Sequence, residues 1–135
     1  MKLGDIVYAE PAISSMSKKH FTDFSVAYNL AMMYELVEDK IKFFVDQEKF
    51  LIDKYSAKDE KGEIRSTKDG RIIFDKSESK TLFDSEIAKL KDTEIEGFSV
   101  VSIKESSFVS NSDYPTPEDI VKLKGFVNFE LSAKA

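Results

Sequence analysis

Leu30, Tyr34, Val37, Ile41, Phe44, Glu48, Leu51 and Tyr55 follow one another at alternating spacings of four and three, and all but Glu48 are apolar or aromatic. Side chains three and four apart share one face of an α-helix. The pattern predicts one long helix that starts near Thr22, Asp23 or Ser25 and runs to about Ser56 or Ala57, with no Gly or Pro on the way. At 1.5 Å per residue it would span about 45–50 Å. Asp23 or Ser25 can accept hydrogen bonds from the free amides of its first turn. Met33, Phe50 and Ile52 add a second apolar edge, with Val45 beside Phe44. Glu35, Glu38, Asp39, Lys40, Lys42, Asp46 and Lys49 mostly occupy the other faces, and Glu38–Lys42 is an ion pair in the favoured order. A helix of this length cannot be enclosed by the core of a 135-residue chain. It has to project or pair with another helix. Glu48 breaks the stripe, and a charge there costs stability unless it is paired or solvated. Either the stripe opens to water at that point, the simpler account, or Glu48 meets Lys80 or Lys89 on a returning helix.

The flanking patterns are shorter. Over 2–10, Leu3, Ile6 and Val7 suit a helical face, and Ile6-Val7-Tyr8 suits a short strand equally well. Pro11 is expected to end or bend that element, and Ser14, Ser15 and Ser17 to form a polar connection. After the long helix, Lys58-Asp59-Glu60-Lys61-Gly62 is a helix stop. Two β-prone runs, 63–67 and 71–74, flank Lys68-Asp69-Gly70 and predict a β-hairpin, because Gly accepts the positive φ of the turn. A second helix follows over about 79–91, with Leu82, Phe83, Ile87 and Leu90 on its apolar side. It can run back antiparallel and cover the distal half of the stripe. The best strand candidate is 94–103. Residues 106–114 are Ser-rich and turn-like. Thr116 as N-cap, Pro117 at N1 and acids at 118 and 119 start a C-terminal helix that continues through Leu131, weakened by Gly125. The expected fold class is α+β, mainly helical. A long helix and a shorter antiparallel helix are joined by a β-hairpin, with a small sheet and a C-terminal helix, in one domain over 1–131 with a frayed tail over 132–135.

Composition changes this picture mainly by exclusion. The chain has no Cys, which removes disulfides, thiolate metal sites and a Cys nucleophile, and suits a reducing cytoplasm. The N-terminus lacks the basic-then-apolar pattern of a secretory signal, and no apolar run is long enough to span a membrane. A net charge of −5 argues against direct nucleic-acid binding, where Lys and Arg displace counterions from phosphate. Lys18, Lys19 and His20 form a basic cluster, best explained as a solvated loop.

Candidate chemistry is sparse. His20 is the single histidine, and no motif supplies a partner to orient it as a base. Placing Gly62 or Gly70 at the sixth position of a calcium loop puts Ala57, Lys61 and Lys68, or Arg65, Asp69 and Lys76, where ligands belong. The five glycines are scattered singly, so no phosphate-cradling loop or nucleophile elbow exists. No catalytic, cofactor-binding or metal-ligating residue is assigned, and no cofactor is expected. A pocket holding two close carboxylates, or a carboxylate beside His20, would speak for catalysis.

The order of parts has one resemblance. The helix end Glu48-Lys49-Phe50-Leu51-Ile52-Asp53-Lys54-Tyr55, the turn Lys58-Asp59-Glu60-Lys61-Gly62-Glu63-Ile64, the second helix and Asp92-Thr93-Glu94-Ile95-Glu96 resemble a family of small uncharacterised proteins encoded by phages and prophages of Gram-positive bacteria. Those proteins carry a similar E-K-x-x-L-I-x-K-Y helix end followed by a K-D-E-x-G turn. The similarity covers about 35–103 and extends to the 115–129 helix. It implies phage origin and expression in the host bacterial cytoplasm, and it carries over no catalytic residues.

The expected function is that of a non-enzymatic, phage-encoded accessory protein acting by protein–protein interaction through a helical arm. Its partner would be a second copy of itself or a phage or host protein, with no direct nucleic acid and no membrane. Tyr28, Met32, Met33, Tyr34 and Val37 are the expected partner contacts, since the methionines and tyrosines make an adaptable apolar surface. The alternatives are an acidic inhibitor of a host defence or nucleic-acid-processing enzyme, and an enzyme using carboxylates without a recognisable motif.

Overall fold

The structure, a computed structural model, describes residues 1–132. Of the expected tail, residues 133–135 lie outside the described residues, while the Ser132 amide donates to Glu105 Oε2 at 2.8 Å. Among the described residues the fold is α+β and mainly helical, with four α-helices and one two-stranded sheet. The helices are α1 (Leu3–Ser17), α2 (Phe24–Tyr55), α3 (Ser77–Lys91) and α4 (Pro117–Lys122). The strands are β1 (Val101–Lys104) and β2 (Val127–Glu130).

The long helix is unbroken, as its pattern predicts. It buries Val26, Leu30, Met33, Val37, Phe44 and Leu51 along one side. Asp23 stands at the N-cap in extended conformation, but its carboxylate does not hold the first-turn amides. It accepts instead from the Ser107 hydroxyl at 2.7 Å, which ties the helix start to the C-terminal third of the chain.

The first element departs most from expectation. Pro11 neither ends the helix nor opens a serine linker: α1 runs through it to Ser17. An interior proline costs about 3 kcal/mol, since it removes one helical hydrogen bond and crowds the preceding turn. Burying a Leu- or Ile-sized side chain is worth about 1.5–3 kcal/mol. Leu3, Ile6, Ile13 and Met16 are all at most 1% exposed, with Ala9 and Ala12 between them, so packing outweighs the proline. Pro11 itself faces solvent. The start of α1 abuts the end of α3: the Leu3 amide donates to the Thr93 carbonyl at 2.9 Å, and the Ile95 amide to the Met1 carbonyl at 2.7 Å. Gly4 permits this approach, because a Cβ there would stand 3.1 Å from Lys91 Cβ and 3.2 Å from its carbonyl oxygen.

Beyond α2 the expected hairpin is reduced to one antiparallel bridge, Ser66 with Ile72, around the Gly70 turn, with no two-stranded ladder. Three short passages, 56–58, 64–66 and 72–74, meet through isolated antiparallel bridges. Their hydrogen bonds close a ring. The Ala57 amide donates to the Ile73 carbonyl, Ile73 to Arg65, and Arg65 to Ala57, at 2.7, 3.1 and 2.9 Å. Each passage is satisfied by two neighbours, so no pair extends into a ladder. Gly62 and Gly70, at φ 78° and 86°, turn the chain between passages. Phe74 then packs on Phe83 of α3, with ring centroids 5.3 Å apart.

The sheet is parallel, pairing Val101 with Val127 and Ile103 with Phe129. Only the end of the expected 94–103 strand is in it. The C-terminal helix starts as expected, with the Asp119 amide donating to Thr116 Oγ1 at 3.2 Å, but stops at Lys122 rather than continuing to 131. Gly125 at φ 86° redirects the chain, and the β-prone Val127 and Phe129 enter the sheet. The main core joins α1, the proximal half of α2, the two strands, Phe108, Leu123 and Phe126.

Candidate interaction surface on the long helix

With its inner side against α1, α3 and β1, α2 presents a second apolar row outward. Phe24, Tyr28, Met32, Leu36, Phe43 and Phe50 are 82, 52, 42, 40, 46 and 62% exposed. At 100° per residue, Met32, Leu36, Phe43 and Phe50 fall within an arc of about 40°. Phe24 and Tyr28 extend the row toward the helix start, their rings 6.1 Å apart. Three residues beyond Leu36, Phe43 and Phe50 stand Asp39, Asp46 and Asp53, and four residues beyond stand Lys40, Gln47 and Lys54. The row thus has an acidic flank and a largely basic one. The rest of the molecule rises along the second flank. A cleft there is lined by Met32, Leu36 and residues 97–101, and another by Gln47, Phe50 and Lys54 with Glu86 and Lys89 of α3.

The expected contact residues divide between the two faces. Met33 and Val37 are 4% and 0% exposed and belong to the core. Tyr34 is half-buried against it. Their cover is the chain's own α1 and C-terminal region. Tyr28 and Met32 are on the outer row. Phe24, Leu36, Phe43 and Phe50 complete the row without being among the expected contacts, although the seven-residue spacing of Leu36, Phe43 and Phe50 is a signal in the sequence. Glu48 is half-buried and makes no ion pair among the described residues; Lys80 bonds Asp84 at 2.7 Å and Lys89 lies 3.6 Å from Glu86.

Two close carboxylates and a carboxylate beside His20 both occur, though none of these residues lines the clefts along the row or the apolar cleft beside Phe108. Glu10 of α1 and Glu38 of α2 face each other across the helix interface. Burial raises the Glu10 carboxyl above its ordinary pKa, and hydrogen bonding and repulsion from Glu38 raise it further. Glu38 Oε1 is buried without a partner. Asp113, 8% exposed, lies beside His20. Its burial pushes the carboxyl up, but the His20 amide, the His20 ring and the Ser110 hydroxyl outweigh it, so the pKa is lowered. The imidazole Nδ1 is 3.4 Å away, and the ring is 80% exposed. The amide bond at 3.2 Å, with Val109 N–H to the His20 carbonyl, fastens the α1–α2 connection to the 107–113 loop.

A separate apolar cleft of about 320 Å³ is lined by Phe108, Tyr114, Ile120 and Phe129, with Glu105 and Glu130 at its edge. The Glu10–Glu38 and His20–Asp113 pairs take no part in it. Among the described residues no three His, Asp or Glu side chains gather as ion ligands, and no helix is long and apolar enough to cross a membrane. No protein-family model, curated protein or solved structure matches this chain.

Proposed function

We propose that this is a non-enzymatic protein that works by protein–protein contact through the outer face of α2. The carrying observation is the row of large apolar side chains from Phe24 to Phe50, left half or more uncovered in several places on an unbroken helix. Scattered exposed apolar residues are ordinary, but a contiguous rimmed patch marks an interaction site. The resemblance of the 48–64 and 92–96 segments supports a phage-encoded accessory protein acting in the host cytoplasm. The bridged tip and α3 act as a brace in this scheme, with α3 returning antiparallel along α2 and holding it straight.

Site-specific photo-crosslinking tests the surface. A benzophenone amino acid placed at Phe43 or Phe50 in expressing cells should give discrete protein adducts. The same probe at Lys42, about 100° around the helix, should give none. Absence of adducts from both row positions would refute the proposal.

A further inference from the structure

We propose that the occupant of this row is a second copy of the same chain, with the two α2 helices side by side and parallel. The inference rests on the contact function just proposed and names its partner. Leu36, Phe43 and Phe50 recur every seven residues, which keeps them within about 40° of one another around α2, one apolar position per seven with Asp and Lys or Gln between them. The flanks decide the direction. A two-fold axis along the seam sets the Asp39, Asp46 and Asp53 side of one copy against the Lys40, Gln47 and Lys54 side of the other. Asp39 and the partner's Lys40 then differ by about 1.5 Å in height. An antiparallel pair would set acid against acid and base against base, which costs stability. Bulk points the same way. α3 and residues 97–101 stand along the Gln47 flank, so a parallel pair places the two bodies on opposite sides, whereas an antiparallel pair crowds both onto one side.

Sedimentation equilibrium of the wild-type chain should give twice the 15.4 kDa of one copy. Phe43→Glu should give monomer with an unchanged helical circular-dichroism spectrum. Asp39→Lys should weaken the dimer about tenfold, since both symmetry-related pairs are lost, and adding Lys40→Asp should restore it. Ser25 lies eleven residues before Leu36 on the same side, and the chain has no native Cys. Under mild oxidation Ser25→Cys should therefore cross-link copies in a parallel pair. In an antiparallel pair centred on Phe43 the two sites stand about 54 Å apart at 1.5 Å per residue. A monomer at 100 µM in about physiological salt overturns the proposal, and so does a dimer that fails to cross-link at Ser25→Cys. A monomer that still gives adducts with another protein from Phe43 removes the second copy but leaves the contact function standing. A monomer without adducts removes both.

Discussion

Replacing Pro11 by Ala should stabilise this protein. Pro11 is the ninth residue of a fifteen-residue helix and is exposed, so its side chain contributes no core packing. It has no amide hydrogen for the Val7 carbonyl, and its ring crowds the turn before it. Relief of an interior proline is worth about 3 kcal/mol. Alanine also frees the unfolded chain, which returns about 0.4–1 kcal/mol of that gain. The net expectation is roughly 2 kcal/mol. Unfolding entropy of about 2.1 cal/mol/K per residue amounts to about 0.28 kcal/mol/K for 135 residues, so the midpoint should rise by about 7 °C. Thermal melts of both forms at one protein concentration, followed at 222 nm, measure it directly. An unchanged or lowered midpoint would show that the backbone at Pro11 is not helical. The continuous α1, and with it the cover of the proximal α2 stripe, would then be refuted.

Three further outcomes follow from particular residues. Glu10 has a raised pKa in the folded state, so the unfolded chain loses that proton first, and stability falls as pH climbs from the ordinary Glu value through the folded one. Glu10→Gln should remove that slope and stabilise the protein at neutral pH, as read by urea midpoints between pH 4 and 8. Asp113 has the opposite sign: its lowered pKa contributes stability above the ordinary Asp value that is lost as pH falls through the folded one. Asp113→Asn should therefore flatten the acid limb of the same profile and loosen the loop at His20, visible as faster amide exchange at Val109. Gly125→Ala should cost about 1–2 kcal/mol from backbone strain alone, because φ is 86° and a Cβ there meets nothing within 4 Å; a denaturant melt showing no loss would contradict the left-handed turn after α4.

What was legible in the sequence was what local chemistry decides. The α2 stripe carries strong apolar residues at helical spacing over many turns, and no Gly or Pro competes with it. The Thr116-Pro117 start of α4 is likewise local, a hydroxyl and a ring acting on adjacent amides. The elements misjudged are those decided by distant partners. α1 buries Ala9 and Ala12, which add little to an apolar pattern, and its tolerance of Pro11 is visible only against α2. Ala57, Arg65 and Ile73 close a ring of three passages, whereas turn chemistry specifies only pairs. Val127 and Phe129 leave a helical pattern because β1 offers hydrogen bonds. The same limit applied to the candidate site. Met32 and Met33 are neighbours with similar side chains, and only the packing of the rest of the chain on one side of α2 makes Met33 core and Met32 surface.

Helix lengths explain why the outer row remains uncovered. α1 and α3 have fifteen residues each and α2 has thirty-two, so the two short helices together nearly match the long one. At 1.5 Å per residue they supply about 45 Å of cover for about 48 Å of stripe. Their ends meet where Leu3 bonds Thr93 and Gly4 touches Lys91, so the inner face is closed along its length by two covers set end to end. Of the two outcomes its length allows, projecting or pairing with another helix, the long helix takes the second along its inner face. The remaining elements reach the outer row only at its edge, where residues 97–101 line a cleft with Met32 and Leu36. α4 packs on α1, β1 packs on the proximal part of α2, and the tip beyond Tyr55 satisfies its own backbone. Phe43 and Phe50 lie beyond the sheet, and α3 meets the row only at the Phe50 edge, so the two side chains stay 46% and 62% exposed. The proposed association would draw its free energy from removing those rings from water, and substitutions there should change binding far more than folding.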